Sequence, residues 1–339
     1  MNAETILASR PSQLFRGAES DIKKKFRELA SQWHPDHCRL PQAEDVFQHI
    51  LRCRDAALRG EEGLHRVVFE RLVSRGDQKP KFALDYVRSF ATENGVVYIS
   101  YDNVSYLITD DKLGLVDPVT RRKWAFPDKK MEVEMTKYLP RSNRVEQTKD
   151  GPLLVYKRNS DQILLVDLLA WHKQTGKTMD ARHVMWIISS LLNTLCYLEV
   201  QKTAHCAILP HYLLVSPDLH TVALTGPVLY ATPFGTRPKA VPHKVLALHP
   251  RLKAPEAVVE NSRLDLLCLR SLTMECLGLT NPALLARDTA LHKGLKDWML
   301  SKAPDSAVKD YVAWEKLRGK RAFTAYETTA SEMYVALTA

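Results

Sequence analysis

The sequence predicts a multidomain protein, in which an all-α helical hairpin is followed by an α+β fold with a smaller and a larger lobe. Three observations lead to this prediction. Between residues 20 and 58, apolar residues recur at helical spacing on both sides of a short loop. Between residues 95 and 156, short apolar runs alternate with turn residues, as is typical of strands. From residue 157 onward the apolar pattern becomes helical again.

Composition favours a folded protein of two domains or more. The chain has 339 residues, 45% of them hydrophobic, and a formal net charge of +9. This charge permits contact with nucleic acid or with an acidic protein and does not choose between them. No basic motif interleaved with aromatic residues is present, so we do not expect nucleic acid as a partner.

Signals for a membrane, a metal or a disulfide are missing. No apolar run approaches membrane-spanning length, and the N-terminus lacks the layout of a signal peptide. The cysteines are scattered without a C-x-x-C pair: Cys38, Cys53, Cys196, Cys206, Cys268 and Cys276. They are expected to be buried thiols in a reducing cytoplasm. We therefore expect a cytoplasmic protein with no membrane partner, no metal and no cofactor.

The first helix of the hairpin is predicted from about Asp21 to Gln32. Its apolar residues share one face: Ile22, Phe26, Leu29 and Trp33. A basic cluster lies mostly off that face and projects into water: Lys23, Lys24, Lys25 and Arg27. Ser20 is a suitable N-cap. Pro35 ends the helix and leaves His34 at its tip.

The second helix of the hairpin is predicted to begin near Pro41 and to stop at Gly60. Its apolar stripe consists of Ala43, Val46, Phe47, Ile50, Cys53 and Ala57. Burial of both stripes against each other gives an antiparallel pair with a basic outer face.

This hairpin resembles the J domain of DnaJ-type co-chaperones. The resemblance rests on residues 22–30, on His34-Pro35-Asp36 directly after Trp33, and on Phe47 of the second helix. It implies that two groups contact a DnaK-type chaperone: the loop residues His34, Pro35 and Asp36, and the basic residues Lys23, Lys24, Lys25 and Arg27. In the alternative interpretation, the Pro-Asp pair only shapes a turn and the lysines form a solvated face.

Residues 1–61 are assigned to the J domain, and residues 62–84 to a connecting helix and linker. In the first segment, Leu14 and Phe15 indicate a short helix packed on the hairpin. In the second, the linker is placed around residues 76–81.

The small β-rich lobe is assigned to residues 85–156. Two strands are predicted on either side of a turn at Asp102-Asn103. They are residues 95–100 and 104–109. Further short strands are predicted at Leu115-Val116, at Trp124-Ala125-Phe126 and at residues 153–156, together with a helix from Lys129 to Leu139.

The large helical lobe is assigned to residues 157–320, and residues 321–339 to a C-terminal tail that forms a surface helix. The lobe begins with a predicted helix from Asp161 to Lys173. The clearest helix of the chain follows at residues 180–199, with a wide apolar stripe and Asp180 as N-cap.

The order of features in these two lobes resembles a protein kinase. The long helix leads into His205 and a following aliphatic strand, and Thr221 to Gly226 stands where a kinase carries its magnesium loop. Ala254-Pro255-Glu256 comes next, and the helix that opens at Leu264 is apolar nearly all round, so it must be buried. The resemblance covers roughly residues 90–318.

Taken position by position, the resemblance finds no catalytic carboxylate. Ala207 stands where kinases carry the catalytic Asp, and Tyr212 where they carry the metal-binding Asn. The Asp-Phe-Gly position is either Leu224-Thr225-Gly226 or, shifted by two, Gly226-Pro227-Val228. No glycine-rich loop exists, since the first hairpin has Tyr101-Asp102-Asn103 at its turn. We therefore expect a pseudokinase without catalytic residues.

The lysine and glutamate pair of kinases has no firm counterpart. Lys123 precedes Trp124-Ala125-Phe126, but Pro127 falls where the pattern would place the lysine. Glu132 or Glu134 is the candidate for the glutamate of the small-lobe helix.

Three residues of the large lobe are expected to be structural. His205 is interpreted as a core histidine, and the neighbouring Cys206 as an unreactive thiol. Asp265 is expected to cap or brace the buried helix by bonding backbone amides. Glu256 is expected to pair with an arginine late in the lobe: Arg287, Arg318 or Arg321.

Two functions of different classes follow. In the first, the J domain stimulates a DnaK-type chaperone, and the kinase-like part binds or scaffolds an unknown protein client. In the second, the chain is an atypical kinase or a nucleotide-binding switch with an accessory hairpin. A basic nucleic-acid-binding adaptor is a third and weaker alternative. The missing carboxylates favour the first hypothesis.

Overall fold

The computed structural model describes residues 1–58, 65–72, 80–109, 114, 116, 124–140, 142–225, 228–254, 256–319 and 324–338. Its fold is mixed α/β, and its sheets are small and antiparallel. Predicted features outside these residues are Gly60, the linker at 76–79, Leu115, Lys123, Gly226-Pro227, Pro255 and Arg321.

Helices alone make up residues 1–58. They are α1 (Ala3–Ala8), α2 (Pro11–Leu14), α3 (Glu19–Trp33) and α4 (Ala43–Leu58). The long pair α3 and α4 is antiparallel, because contacts join opposite ends. The ring of His34 lies 4.8 Å from that of Phe47, while the guanidinium of Arg54 lies 4.2 Å from the ring of Phe26.

The two predicted apolar stripes meet in a core that is separate from the rest of the protein. Its buried members come from every helix of this segment: Ile6, Leu14, Phe15, Ile22, Leu29, Trp33, Val46, Ile50 and Cys53. Two buried residues of α4, His49 and Ala56, were not predicted. His49 is buried because its Nε2 lies 3.0 Å from the carbonyl oxygen of Ser9, which ties α4 to the end of α1.

Both predicted helix starts need correction. Ser20 is not the N-cap, because α3 begins at Glu19, two residues before the predicted start, and Ala18 is its N-cap. The carboxylate of Asp21 accepts a hydrogen bond from the Ala18 N–H at 3.1 Å, so a residue within the helix satisfies this donor. Pro41 lies in a turn two residues before α4 begins at Ala43.

The predicted connecting helix is wrong. Residues 65–70 form strand β1 (His65–Glu70), which pairs antiparallel with β2 (Lys81–Tyr86). Phe69 is buried and Val67 half-buried, while Val68 between them is 57% exposed. This alternation has the period of a strand rather than of a helix.

A five-stranded antiparallel sheet follows. Its strands are β3 (Arg88–Thr92), β4 (Gly95–Ile99), β5 (Asn103–Ile108), β6 (Ser142–Thr148) and β7 (Gly151–Lys157), in the order β3-β4-β5-β7-β6. The predicted hairpin is confirmed, with Val97 of β4 opposite Tyr106 of β5. Strands β3 and β6 were not predicted. Helix α5 (Lys129–Met135) is shorter than the predicted helix.

The predicted strand at residues 124–126 is wrong. This stretch is irregular and lies against the long helix at Ala181–Val200. The rings of Trp124 and Phe126 lie 6.1 and 5.6 Å from the ring of Tyr197, whose hydroxyl donates to the Ala125 carbonyl at 2.9 Å. A side chain, rather than a neighbouring strand, therefore supplies the hydrogen bond to this backbone carbonyl. Val116 is not in a strand either.

The rest of the chain is largely helical. Its elements are β8 (Ile163–Leu164), α6 (Leu165–Gln174), α7 (Ala181–Val200), β9 (Thr203–Ala204), a short 3-10 helix (Pro210–Tyr212), β10 (Leu213–Ser216), β11 (Thr221–Leu224), β12 (Thr232–Pro233), α8 (His243–Leu248), a second 3-10 helix (Pro250–Lys253), α9 (Arg263–Cys276), α10 (Pro282–Arg287), α11 (Lys293–Leu300), α12 (Ala307–Leu317) and α13 (Ala330–Thr338). Helix α6 begins later than predicted because β8 precedes it and pairs with β10.

Helix α7 confirms the clearest prediction. Asp180 caps it and accepts from the Arg182 N–H at 2.8 Å, and the whole predicted stripe is buried. Contrary to the sequence expectation, this helix is long and apolar enough to span a membrane, with a mean hydropathy of 1.2. Within the protein, 67% of that window is buried, as in a central core helix.

One continuous apolar core joins the sheet to the helical part, and α13 belongs to it. Ala330, Met333 and Tyr334 of α13 are buried there, so the predicted surface helix is corrected to a core element. The other face of the sheet is covered by the β1–β2 hairpin, where Phe69 and Leu84 join a smaller cluster.

Candidate functional site

The basic face of α3 is open to solvent. All four predicted residues are exposed: Lys23, Lys24, Lys25 and Arg27. Lys23 Nζ lies 2.5 Å from Glu19. Lys25 Nζ lies 3.1 Å from Glu28. Such exposed pairs stabilise a helix only slightly, and they lower the positive charge of the face. The other two cations form no ion pair with a described residue.

The loop after α3 is a hydrogen-bonded turn around His34. The carbonyl of His34 accepts from the N–H groups of His37 and Cys38, both at 2.9 Å. The N–H of Asp36 donates to His34 Nδ1 at 3.2 Å. The other side of the imidazole packs edge-on against Phe47, so the ring has a fixed orientation.

Pro35 and Asp36 form the outermost part of this turn. Both are exposed, and the Asp36 side chain is 79% exposed. The three loop residues thus lie in the turn that joins α3 to α4, at the C-terminal end of α3, whereas the basic residues lie nearer its N-terminal end. Pro35, Asp36 and the four basic residues are exposed, and His34 is half-buried.

Helix α4 of the hairpin contacts the rest of the protein through the carboxylate of Asp85, which two arginines share. Asp85 of β2 lies 2.6 Å from Arg52 Nε of α4 and 2.8 Å from Arg66 Nε of β1. A cavity of about 570 Å³ lies beside this contact, lined also by Tyr101 and Arg158. Because α4 makes this contact, the basic face of α3 takes no part in it.

Tyrosines fill the junction between the sheet and the helical part. The members of this tyrosine junction are all less than a tenth exposed: Tyr106, Tyr156, Tyr212 and Tyr230. Tyr106 stacks on Tyr212 at 6.2 Å, and its hydroxyl donates to the His211 carbonyl at 3.1 Å. Asn94, in the β3–β4 turn, donates a short hydrogen bond to the Tyr230 hydroxyl and closes the junction from the sheet side.

The segment that enters β10 is held by one buried carboxylate. Asp265 accepts from the N–H groups of His205 and Cys206 at 2.7 and 2.8 Å. It therefore braces this segment from α9 rather than capping its own helix. Burial raises the pKa of Asp265 to about 6, against the opposing effect of the two hydrogen bonds. Ala207 next to them is fully buried and offers only a methyl group.

The segment after β11 supplies no carboxylate among its described residues. Leu224 is buried, and its N–H donates to the Tyr138 carbonyl at 2.8 Å, just beyond α5. Thr225 donates its N–H to the Tyr212 carbonyl at 2.9 Å. Gly226 lies outside the described residues.

The candidate glutamates of the small lobe are surface residues. Glu132 pairs with Lys129 at 2.9 Å, and Glu134 pairs with Lys137 at 2.6 Å, both along or just beyond α5. Neither reaches into the tyrosine junction. The candidate Lys123 falls in a stretch that is not described.

The predicted ion pair of Glu256 is not found among the described residues. Glu256 is exposed, and Arg318 pairs with Glu315 at 2.5 Å instead. Arg287 forms no ion pair with a described residue, and Arg321 falls outside the described ranges. The Glu256 carboxylate is on the surface, and no cation among the described residues lies within ion-pair distance of it.

Another glutamate, which the sequence did not single out, makes the structural contacts. Glu199 at the end of α7 accepts from the hydroxyls of Ser262 and Ser306 at 2.7 and 2.8 Å, and from the N–H of Ala307. It joins three helices. No signal in the sequence distinguishes it from a solvated residue at a helix end.

A second contact that the sequence did not predict joins the sheet to α6. Arg88 Nε of β3 lies 2.6 Å from the buried carboxylate of Asp167. Burial raises the pKa of Asp167 to about 6, although Arg88 acts in the opposite direction. Arg88 and Asp167 are 79 residues apart, and their pairing has no local pattern.

Four of the six cysteines are buried as expected, Cys53, Cys206, Cys268 and Cys276, whereas Cys38 and Cys196 are only half-buried. Burial raises the pKa of the Cys206 thiol well above its usual value, and it raises the pKa of Cys196 to about 12. Thiolate chemistry is therefore disfavoured at both positions. In the described part of the chain, no group of three or more His, Cys, Asp or Glu side chains is arranged to hold a metal ion.

Comparison with known proteins does not assign the chain to a family. No protein-family model matches the chain, and no curated protein matches it.

Proposed function

We propose that the chain is a J-domain co-chaperone of the cytoplasm. Its hairpin, residues 1–61, docks on a DnaK-type chaperone and stimulates ATP hydrolysis. The rest of the chain is a kinase-like module that binds or scaffolds a client protein without catalysing a reaction. The hairpin needs no cofactor for this role, and neither a membrane nor nucleic acid is part of the proposal.

The observation that carries the proposal is the exposed side of α3 together with the turn that follows it. The basic residues of α3 are exposed, and the His34-Pro35-Asp36 turn comes directly at the end of the same helix, where Phe47 packs against the imidazole. A cationic face of this kind attracts an acidic partner and speeds its approach. Because the hairpin is tied to the sheet through α4, a chaperone on α3 meets no steric block from this contact.

The order of elements supports the kinase-like half. Three strands, a helix and two more strands precede a largely helical part with a long central helix, the β10–β11 pair and the buried α9. The third strand of the sheet is where kinases carry the lysine that binds phosphates. Here it is β5, whose residues in the shared core are Val104, Tyr106 and Ile108.

The tyrosine junction supports a module without nucleotide chemistry. Kinases bind Mg·ATP between their lobes with two metal ligands and a lysine. By the resemblance, Ala207 stands at the catalytic Asp, Tyr212 at one metal ligand and Leu224 or Gly226 at the other, and the aromatic rings of the junction lie between the sheet and the helical part. Phosphoryl transfer needs groups that these side chains cannot supply.

The test is the steady-state ATP turnover of a DnaK-type chaperone from the same cell. We expect turnover to rise several-fold when the protein is added. The His34→Gln variant is expected to give no rise. His37→Gln is the matched control, because His37 is exposed in the same turn, with its ring 5.8 Å from that of His34. Unchanged turnover with the wild-type protein would refute the co-chaperone function.

A further inference from the structure

Three histidines from three separate elements contact the stretch from Thr324 to Tyr326: two contact the tyrosine and one contacts the Thr324 backbone. The ring of His183 in α7 stacks on Tyr326 at 3.9 Å, and His172 Nε2 of α6 lies 3.4 Å from the Tyr326 hydroxyl. His220, in the β10–β11 turn, has its Nε2 3.3 Å from the carbonyl oxygen of Thr324. This histidine cluster holds the stretch that leads into α13.

The segment held by the cluster completes the core behind it. The hydroxyl of Tyr334 in α13 accepts from the Leu164 N–H at 3.1 Å. Gln174 of α6 donates to the Ala336 carbonyl at 3.1 Å, and the guanidinium of Arg158 lies 5.1 Å from the Tyr334 ring. The cluster is therefore the anchor of a segment that covers α6 and the end of the sheet.

The hydrogen bonding of His183 requires a neutral ring. The indole N–H of Trp186 donates to His183 Nδ1 at 3.2 Å. An indole can only donate, so Nδ1 must keep its lone pair. A protonated imidazole carries hydrogens on both nitrogens and would turn this contact into two opposed donors. His183 is also buried, as is His172.

We propose that the histidine cluster is an acid-sensitive latch, in which neutral His183 holds Tyr326 and the C-terminal segment in place, and protonation of His183 releases the segment. The proposal does not depend on the co-chaperone function. It concerns the packing of residues 324–338 on α6 and α7, and it would stand if the hairpin had another partner.

Burial disfavours protonation of His183, and the charged groups around the cluster do not offset this effect. Asp180 favours the charged form of His183, whereas His172, His220 and Arg182 oppose it. At His172, burial lowers the pKa most, the backbone of Lys177 raises it, and the charge of Lys177 lowers it. The balance lowers the pKa of His183 to about 4, with burial as the main cause. A released histidine has a pKa of about 6.5.

The direction of the pH effect follows from this difference. The latched state binds fewer protons than the released state. Release is therefore favoured as the pH falls below about 6.5, and the stabilisation by the latch is complete only above that pH. Between pH 7.5 and pH 5.0, we expect the opening equilibrium of the segment to rise on the order of tenfold.

The experiment is hydrogen exchange of the full chain at both pH values, corrected for the intrinsic rate and followed in peptides from residues 328–338. The wild-type segment should lose protection at pH 5.0. In His183→Gln, the amide oxygen can still accept from Trp186 and does not titrate. This variant should keep its protection at both pH values.

Two further variants complete the test. His243→Gln alters a histidine that is 86% exposed and far from the cluster, and it should behave as the wild type does. Tyr326→Ala should expose the segment already at pH 7.5. Equal protection of the wild type at both pH values, or the same loss of protection in His183→Gln, would overturn the latch. If His183→Gln does not fold, a fully protected segment in Tyr326→Ala would overturn it as well.

Discussion

The guanidinium of Arg270 and the carboxylate of Asp310 form two parallel hydrogen bonds inside the helical core, each 2.9 Å long. Both side chains are less than a tenth exposed. Trp298 donates its indole N–H to the same carboxylate at 3.2 Å, and the guanidinium lies 4.3 Å from its ring. One ion pair therefore holds α9, α11 and α12 together.

Removal of one partner of this pair should be costly. We expect Asp310→Ala to lower the free energy of unfolding by about 3–5 kcal/mol, because it leaves the Arg270 charge buried without its partner. Urea unfolding measures the change. Asp305→Ala removes the exposed partner of Lys309 in the same region, and no measurable loss is expected there. An unchanged urea midpoint for Asp310→Ala would show that water compensates the buried charge.

The basic face of α3 should determine how fast a chaperone is engaged. We expect Lys24→Glu combined with Arg27→Glu to weaken stimulation of chaperone turnover several-fold at low salt, because both cations lack an ion-pair partner among the described residues. The difference from the wild type should shrink at high salt. Lys130→Glu combined with Lys302→Glu is the control, since it makes the same total charge change at two exposed lysines elsewhere on the surface. Equal loss in the control would indicate a dependence on net charge alone.

The tyrosine junction should make the protein insensitive to nucleotide. A ligand present at 100 times its dissociation constant stabilises a folded protein by about 2.7 kcal/mol. We expect no change in melting temperature on addition of Mg·ATP, because buried rings occupy the space between the sheet and the helical part. The DnaK-type chaperone is the positive control in the same assay. A reproducible rise in the melting temperature of this protein would favour the nucleotide-binding alternative.

Gly294 allows α11 and α12 to approach closely. A Cβ atom at this position would lie 1.7 Å from the carbonyl oxygen of Leu317. We expect Gly294→Ala to cost about 3 kcal/mol or more in urea unfolding, because backbone must move. Gly176→Ala is the comparison. Its φ of +67° makes a side chain unfavourable by roughly 1–2 kcal/mol, but nothing lies within 4 Å of the new atom. A similar cost for both variants would mean that the helices separate easily.

Asp85 should fix the hairpin in its orientation. In Asp85→Ala, Arg52 and Arg66 would face each other without the carboxylate that they share. We expect the hairpin core to stay folded and the radius of gyration in small-angle scattering to increase. Arg54→Ala on the same helix removes a guanidinium that contacts Phe26 rather than the sheet, and it should leave the radius unchanged. A wild-type radius for Asp85→Ala would show that other contacts hold the hairpin.

Long periodic segments were predictable, and short ones were not. The stripes of α3 and α7 recur over several turns, which separates a helix from a strand without reference to the rest of the chain. The apolar stretch around Phe69, with Val67 and Val68, is short. It was interpreted as a helix because its strand partner, β2, lies beyond an intervening stretch of polar residues. Pairing partners that are distant in sequence leave no local pattern.

The residues of the candidate site also fall into two groups: those that a local motif singled out, and those that only the fold brings together. His34, Ala207 and Tyr212 were found because they occupy fixed places in an ordered series of motifs. The contact of Arg88 with Asp167, and that of Tyr334 with Leu164, arise only when remote segments meet. The place of Glu256 in a motif predicted an ion pair with an arginine; the described Arg287 and Arg318 do not form it, and Arg321 lies outside the described residues.

The position of Tyr334 in the core has a consequence for synthesis on the ribosome. The hairpin is complete at residue 58, whereas the helix that closes the large core begins at residue 330. At the usual rate of about 5–20 residues per second, the hairpin emerges roughly 15–50 s before that helix is made. Since its core is separate from the large one, it can fold during this interval. A nascent chain would then present the His34 turn and the basic face of α3 while its remaining core is still open.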